Sequence, residues 1–175
     1  DTSDAPFFLF VGGRKGYKNF NLAVEALENL PEAQLKICGG GPLNSNELKF
    51  LAKKLEGRYE FIPSVNDHYL KWLYQNSIAL LYPSSFEGFG LPPLECILSG
   101  GRVVSQDTSS LKEVLPKGYP GLSPFSENER YKSIVENLYY NKVPDKSWGL
   151  NQSFIKKWTE YSWIDETIKI YQGLL

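Results

Sequence analysis

Two glutamates in a glycine-rich stretch carry the most specific spacing in this sequence. Phe86-Glu87-Gly88-Phe89-Gly90-Leu91-Pro92-Pro93-Leu94-Glu95 places seven residues between the two carboxylates. A carboxylate accepts hydrogen bonds from two hydroxyls at once, which suits Glu95 to a vicinal diol such as a ribose. The glycines let a backbone approach a ligand closely, and free N–H groups at a helix start receive an anion. Glu95 is expected in the first turn of that helix, with Glu87 in the loop facing whatever lies beyond the anion. A second cluster is cationic. Arg14 and Lys18 follow the turn Gly12-Gly13 four residues apart, so a loop and a new helix start could bring both to one site. Lys15 is a neighbouring alternative to Lys18.

The elements that position these groups follow from hydrophobic period and glycine punctuation. Phe7–Val11, Gln34–Cys38, Tyr59–Ile62, Ile78–Leu81 and Val103-Val104 read as strands. Helix-period segments lie between and beyond them: Asn19–Leu30, closed by Pro31; Asn44–Leu55, stopped near Gly57; Asn66 or Asp67 to Gln75; Leu94–Ser99, opened by Pro92-Pro93; Ser109 or Ser110 to Leu115; Glu127–Asn141; Asn151–Trp158; and Ser162–Leu174. Strands alternating with helices predict a doubly wound α/β domain with a parallel sheet spanning residues 1–175. Such sheets bind ligands beyond their strands' carboxyl ends, where Gly12-Gly13, Gly39–Gly41 and Gly88–Gly90 fall. The Gly39–Gly41 run serves either a sharp turn or a ligand contact.

Composition removes several classes. Net charge is −1, with no basic stripe to hold a nucleic acid. The longest apolar runs fall far short of the ~20 residues a membrane helix needs, and no leader is recognisable. Cys38 and Cys96 read as buried apolar residues of a reducing compartment. With His68 as the single histidine, a His/Cys zinc site cannot be assembled. Ser84 and Ser85 read as turn residues rather than nucleophiles. Methionine is absent even at position 1, so Asp1 is read as the start of an excised fragment.

The Glu-x7-Glu segment resembles the motif of retaining glycosyltransferases with the GT-B fold, in particular glycosyltransferase family 4. Further segments resemble the C-terminal domain of that family: Phe10-Val11-Gly12-Gly13-Arg14 with Tyr17-Lys18-Asn19-Phe20, Ile37–Leu43, Ser109–Val114 and Ser162-Trp163. The resemblance implies a nucleotide-sugar donor, GDP-, UDP- or ADP-linked, bound between two domains, with the N-terminal acceptor domain outside this chain. It implies that Arg14 and Lys18 hold the donor diphosphate, with Gly13 among the substrate-binding residues, and that Gly88, Phe89, Gly90 and Leu91 offer N–H groups to the phosphates and sugar. Glu95 would hold the ribose, and Glu87 would act on the transferred sugar. The base is expected near the exit of the third strand, from Ile62 to Val65. With the cations supplied by side chains, no metal or other cofactor is expected. A cytoplasmic location is expected, any membrane contact coming through the missing domain. The alternative reading is a stand-alone nucleotide-binding module.

Overall fold

The computed structural model describes residues 5–14, 16–108, 110–141 and 148. The helices expected at Asn151–Trp158 and Ser162–Leu174, together with Lys15 and Ser109, lie outside the described residues. Six strands, β1 (Phe7–Val11), β2 (Gln34–Cys38), β3 (Tyr59–Ile62), β4 (Leu80–Tyr82), β5 (Val103–Gln106) and β6 (Leu122–Ser123), form one parallel sheet in the order β3-β2-β1-β4-β5-β6. Phe7, Phe8, Leu9 and Phe10 are buried in succession, as a central strand covered on both faces requires. The helices are α1 (Phe20–Glu25), α2 (Ser45–Leu55), α3 (Asp67–Asn76), α4 (Leu91–Leu98), α5 (Leu111–Val114) and α6 (Asn128–Tyr139). α1 packs with α2, α3 with α4, and α6 against β5 and β6.

Several boundaries move from those the sequence suggests. The α-helical part of α1 ends at Glu25, and the rest of its apolar face continues through tighter turns such as Leu27 N–H to Val24 O and Leu30 N–H to Leu27 O. β4 starts at Leu80 rather than Ile78 and carries on to Tyr82. β6 is a strand the sequence reading did not expect. Two residues between Gly121 and Pro124 give no alternation to detect, and the pairing to Ser105 and Gln106 defines it. α4 begins at Leu91, so Glu95 lies in its second turn, not its first.

The strand order sets the place of the site. β1 lies between β2 and β4; the chain leaves it toward β2 and β3, then returns on the other side as β4. Connections departing in opposite directions open a crevice at the carboxyl ends of β1 and β4. The loops after those two strands carry Lys18 and Glu87.

Candidate functional site

A 3-10 turn, Gly16–Lys18, follows the exit of β1 and delivers Lys18 to the crevice. Asn19 then takes the left-handed conformation at φ 48°, and its side chain does not cap α1 but donates to the Pro83 carbonyl at 2.9 Å. The loop after β4 is tied down from both sides. Ser85 N–H reaches Tyr17 O at 2.8 Å, Thr108 Oγ1 reaches Ser84 O at 2.8 Å, and Ser110 Oγ reaches Glu87 O at 3.1 Å. Ser110, one of the two serines expected to start this helix, makes no side-chain cap to α5 and supports the glutamate loop instead. These bonds fix the backbone of Glu87 between the exits of β1 and β5.

Lys18 and Glu87, picked from separate motifs, meet. Lys18 Nζ donates to Glu87 Oε1 at 2.7 Å and to Tyr82 Oη at 2.5 Å, and it lies 4.5 Å from the centre of the Tyr82 ring. Both charged side chains are largely buried, 14% and 9% exposed, so water screens the pair little. The Tyr82 hydroxyl is bonded to Glu87, and its phenol is held well above the usual range, first by burial and then by that carboxylate. Tyr82 therefore keeps its proton and donates it to Glu87. An ammonium has three N–H donors; two are used here, which leaves the third for a ligand oxygen.

Arg14 stands differently. Nε donates to Glu47 Oε1 at 3.1 Å, Nη1 to Gly39 O at 2.8 Å, and Nη2 to Gly41 O and Pro42 O at 2.8 and 3.0 Å. Its side chain is 3% exposed, and the guanidinium carbon lies 5.5 Å from the Phe61 ring centre. Gly13, Arg14 and Lys18 line a cleft of about 490 Å³ with Tyr17, Gly40, Gly41 and Pro42.

Glu95 lines a separate cleft of about 290 Å³ with Asp67, Leu70, Lys71, Tyr74 and Ser99. The Tyr74 hydroxyl donates to Glu95 Oε2 at 3.1 Å and orients an otherwise exposed carboxylate. Burial first, then Glu95, raises the Tyr74 phenol far above its ordinary range, so it too remains a donor. Ile62 is buried at the end of β3, its carbonyl accepting from Gly39 N–H at 3.0 Å, and Val65 is half-buried against the core. Neither lines either cleft. Gly90 caps α4 at φ 90°, and a Cβ there would stand 2.7 Å from Leu111 Cδ2. Pro92 and Pro93 remove two N–H groups from the first turn, and Leu94 N–H bonds to Gly90 O. The helix start thus follows directly on the glutamate loop, with Gly88 and Phe89 in the loop and Gly90 and Leu91 at the first turn. Leu91 is exposed and Phe89 half-buried.

Sequence reasoning missed Tyr82 and Tyr74. Their signal was a tyrosine among buried aliphatic residues, since a buried phenol has to find a partner. Cys38 and Cys96 are buried free thiols, as expected. Among the described residues no helix is long and apolar enough to cross a membrane.

Residues 2–146 match the family model of glycosyl transferases group 1. The chain belongs to that family. O-antigen chain mannosyltransferase B of Escherichia coli is 31% identical to this group 1 chain over 185 residues, covering 96% of the chain and 46% of that protein. O-antigen chain mannosyltransferase RfbU of Salmonella typhimurium is 28% identical over 142 residues, covering 79% and 39%. The group 1 chain thus spans less than half the length of these two curated relatives. Among solved structures, sucrose-phosphate synthase of Thermosynechococcus elongatus superposes with a TM-score of 0.77 at 22% identity, covering 98% of this chain and 46% of that one. Anabaena HepE in complex with UDP and glucose superposes with a TM-score of 0.70 at 18% identity, covering 94% and 48%. These likenesses show the fold, a Rossmann-like unit of the GT-B kind.

Proposed function

We propose that this chain is the donor-binding domain of a retaining glycosyltransferase of family 4, inactive until joined to an N-terminal acceptor domain. The observation that carries the proposal is the Lys18–Glu87 contact across the β1/β4 crevice, a cation and a carboxylate held side by side by Tyr82. The donor is a GDP-, UDP- or ADP-linked sugar, a reading supported by the nucleotide bound in one structural neighbour. Lys18 gives its remaining N–H to the diphosphate, which gains charge as the bond from the sugar carbon to the phosphate oxygen breaks. The N–H groups from Gly88 to Leu91 share that charge, and no metal ion is needed. Glu87 receives hydroxyls of the transferred sugar, and Glu95, set by Tyr74, receives the ribose diol. The acceptor oxygen bonds to the sugar carbon on the face the diphosphate leaves, and its proton passes to the departing phosphate oxygen. Configuration is retained without a covalent step on Glu87. The complete enzyme works in the cytoplasm, any membrane contact coming through the other domain.

The test is a titration of the 175-residue chain with GDP, UDP and ADP, followed by backbone amide NMR shifts. One base is expected to give saturable shifts at residues 12–18, 62–65 and 87–95. Lys18→Ala removes a charge-assisted hydrogen bond of about 1.5–3 kcal/mol and weakens binding roughly 10- to 100-fold. Glu95→Ala weakens binding of the ribose form but not of the 2′,3′-dideoxy form. No saturable shift with any nucleotide at millimolar concentration sinks the proposal.

A further inference from the structure

Gly39, Gly40 and Gly41 lie in succession at φ 73°, 76° and 78°, a left-handed turn between β2 and α2. Three consecutive residues in that region do not hold themselves there, because nothing in the local chain selects it over the alternatives glycine allows. Arg14 supplies the selection from outside. Its Nη1 and Nη2 groups gather the carbonyls of Gly39, Gly41 and Pro42, and its Nε takes Glu47 of α2. Glu47 is fixed in turn: its other oxygen accepts Asn44 N–H at 2.8 Å, closing a capping box at the start of α2. Four of the five guanidinium N–H donors are therefore committed to the protein, against two of three on Lys18.

A trans peptide sets C=O and N–H antiparallel, so the Gly40 N–H points away from the guanidinium that holds the Gly39 carbonyl. Gly40, Gly41 and Pro42 line the cleft that Lys18 also lines. We propose that Arg14 is a positioning residue, which acts on the donor site by holding the Gly39–Pro42 turn, and that of these two cations it is Lys18, not Arg14, that meets the diphosphate. The second half rests on the donor-binding reading above; the first does not. It replaces the direct diphosphate contact that family resemblance implies for Arg14.

The two roles give opposite signs for one substitution. If Arg14 gripped the diphosphate itself, Glu47→Gln would release it from a competing carboxylate and tighten anion binding. If Arg14 holds the turn, Glu47→Gln loosens the clamp and weakens binding, while glutamine preserves the capping box. We would compare Arg14→Lys, Glu47→Gln and Lys18→Gln in the 175-residue chain. Without ligand, amide shifts at residues 39–43 are expected to move in Arg14→Lys and Glu47→Gln and stay in place in Lys18→Gln. A lysine at position 14 does not rescue, since a point ammonium cannot span three carbonyls and a carboxylate. On titration with UDP, GDP or ADP, affinity is expected to fall about three- to tenfold in Glu47→Gln. Tighter binding in that variant, or unmoved amides at residues 39–43, overturns the proposal. If the unsubstituted chain binds no nucleotide, the donor reading fails, and the ligand-free shifts decide the clamp by themselves.

Discussion

Alanine substitutions along the Gly39–Gly41 turn separate two physical effects that are usually entangled. All three glycines have nearly the same positive φ, so each alanine incurs a similar left-handed penalty of about 1–2 kcal/mol. Their surroundings differ. A Cβ on Gly39 or Gly41 meets nothing within 4 Å, whereas on Gly40 it runs into the Gly12 carbonyl and stands 2.8 Å from Arg14 Nη1. The neighbours are the exit of β1 and a guanidinium already held by three carbonyls, so neither can give way cheaply. Overpacking of this kind costs a further ~1–3 kcal/mol. Gly41→Ala should therefore lose about 1–2 kcal/mol and Gly40→Ala roughly 2–5, against a total stability on the order of 5–15 kcal/mol. In urea unfolding followed by circular dichroism, the extra loss appears as a midpoint lower by roughly 0.5–1.5 M, taking a slope near 2 kcal/mol/M. Equal midpoints for the two variants would show that the β1 and β2 exits do not press on each other, and would refute the close packing on which the Arg14 clamp depends.

Removing the hydroxyl that joins the central ion pair gives a second stability test. Tyr82→Phe keeps the ring beneath the ammonium but strips a buried donor from Glu87, and should cost about 1–2 kcal/mol in chemical denaturation; an unchanged midpoint would mean the hydroxyl contributes nothing to holding the pair. A third test uses pH. Burial, then the charge of Glu60, pushes the Cys38 thiol up from 9.0 to about 11, so between those values the unfolded chain has released a proton that the folded chain still holds. The unfolded state binds fewer protons there, so stability falls as pH rises through that window, by up to ~1.4 kcal/mol per unit, and is untouched below it. Cys38→Ala should flatten this part of the profile, and parallel profiles for the two proteins would refute the assignment.

Much of this architecture is local and was legible in the chain. Strand cores such as Phe7–Val11 and the helix starts near Asn44 and Asn66 depend on neighbours within a few residues. The glycine exits and the Glu87/Glu95 spacing are equally short-range patterns, and they point both glutamates to a rim of the sheet. The resemblance to a family added roles but could not say which cation is still available to serve one. That is settled by partners distant in sequence. Arg14 meets carbonyls and a carboxylate 25 to 33 residues away, and Lys18 meets Tyr82 and Glu87 at 64 and 69. Such pairings follow from the order β3-β2-β1-β4-β5-β6, which lays the exits of β1, β2 and β4 side by side. In sequence the two basic residues look alike, as cations after a glycine turn. In the fold one is enclosed by the carbonyls of the next strand's exit, and the other keeps a donor at the crevice, because hydrogen-bond capacity is allotted in three dimensions.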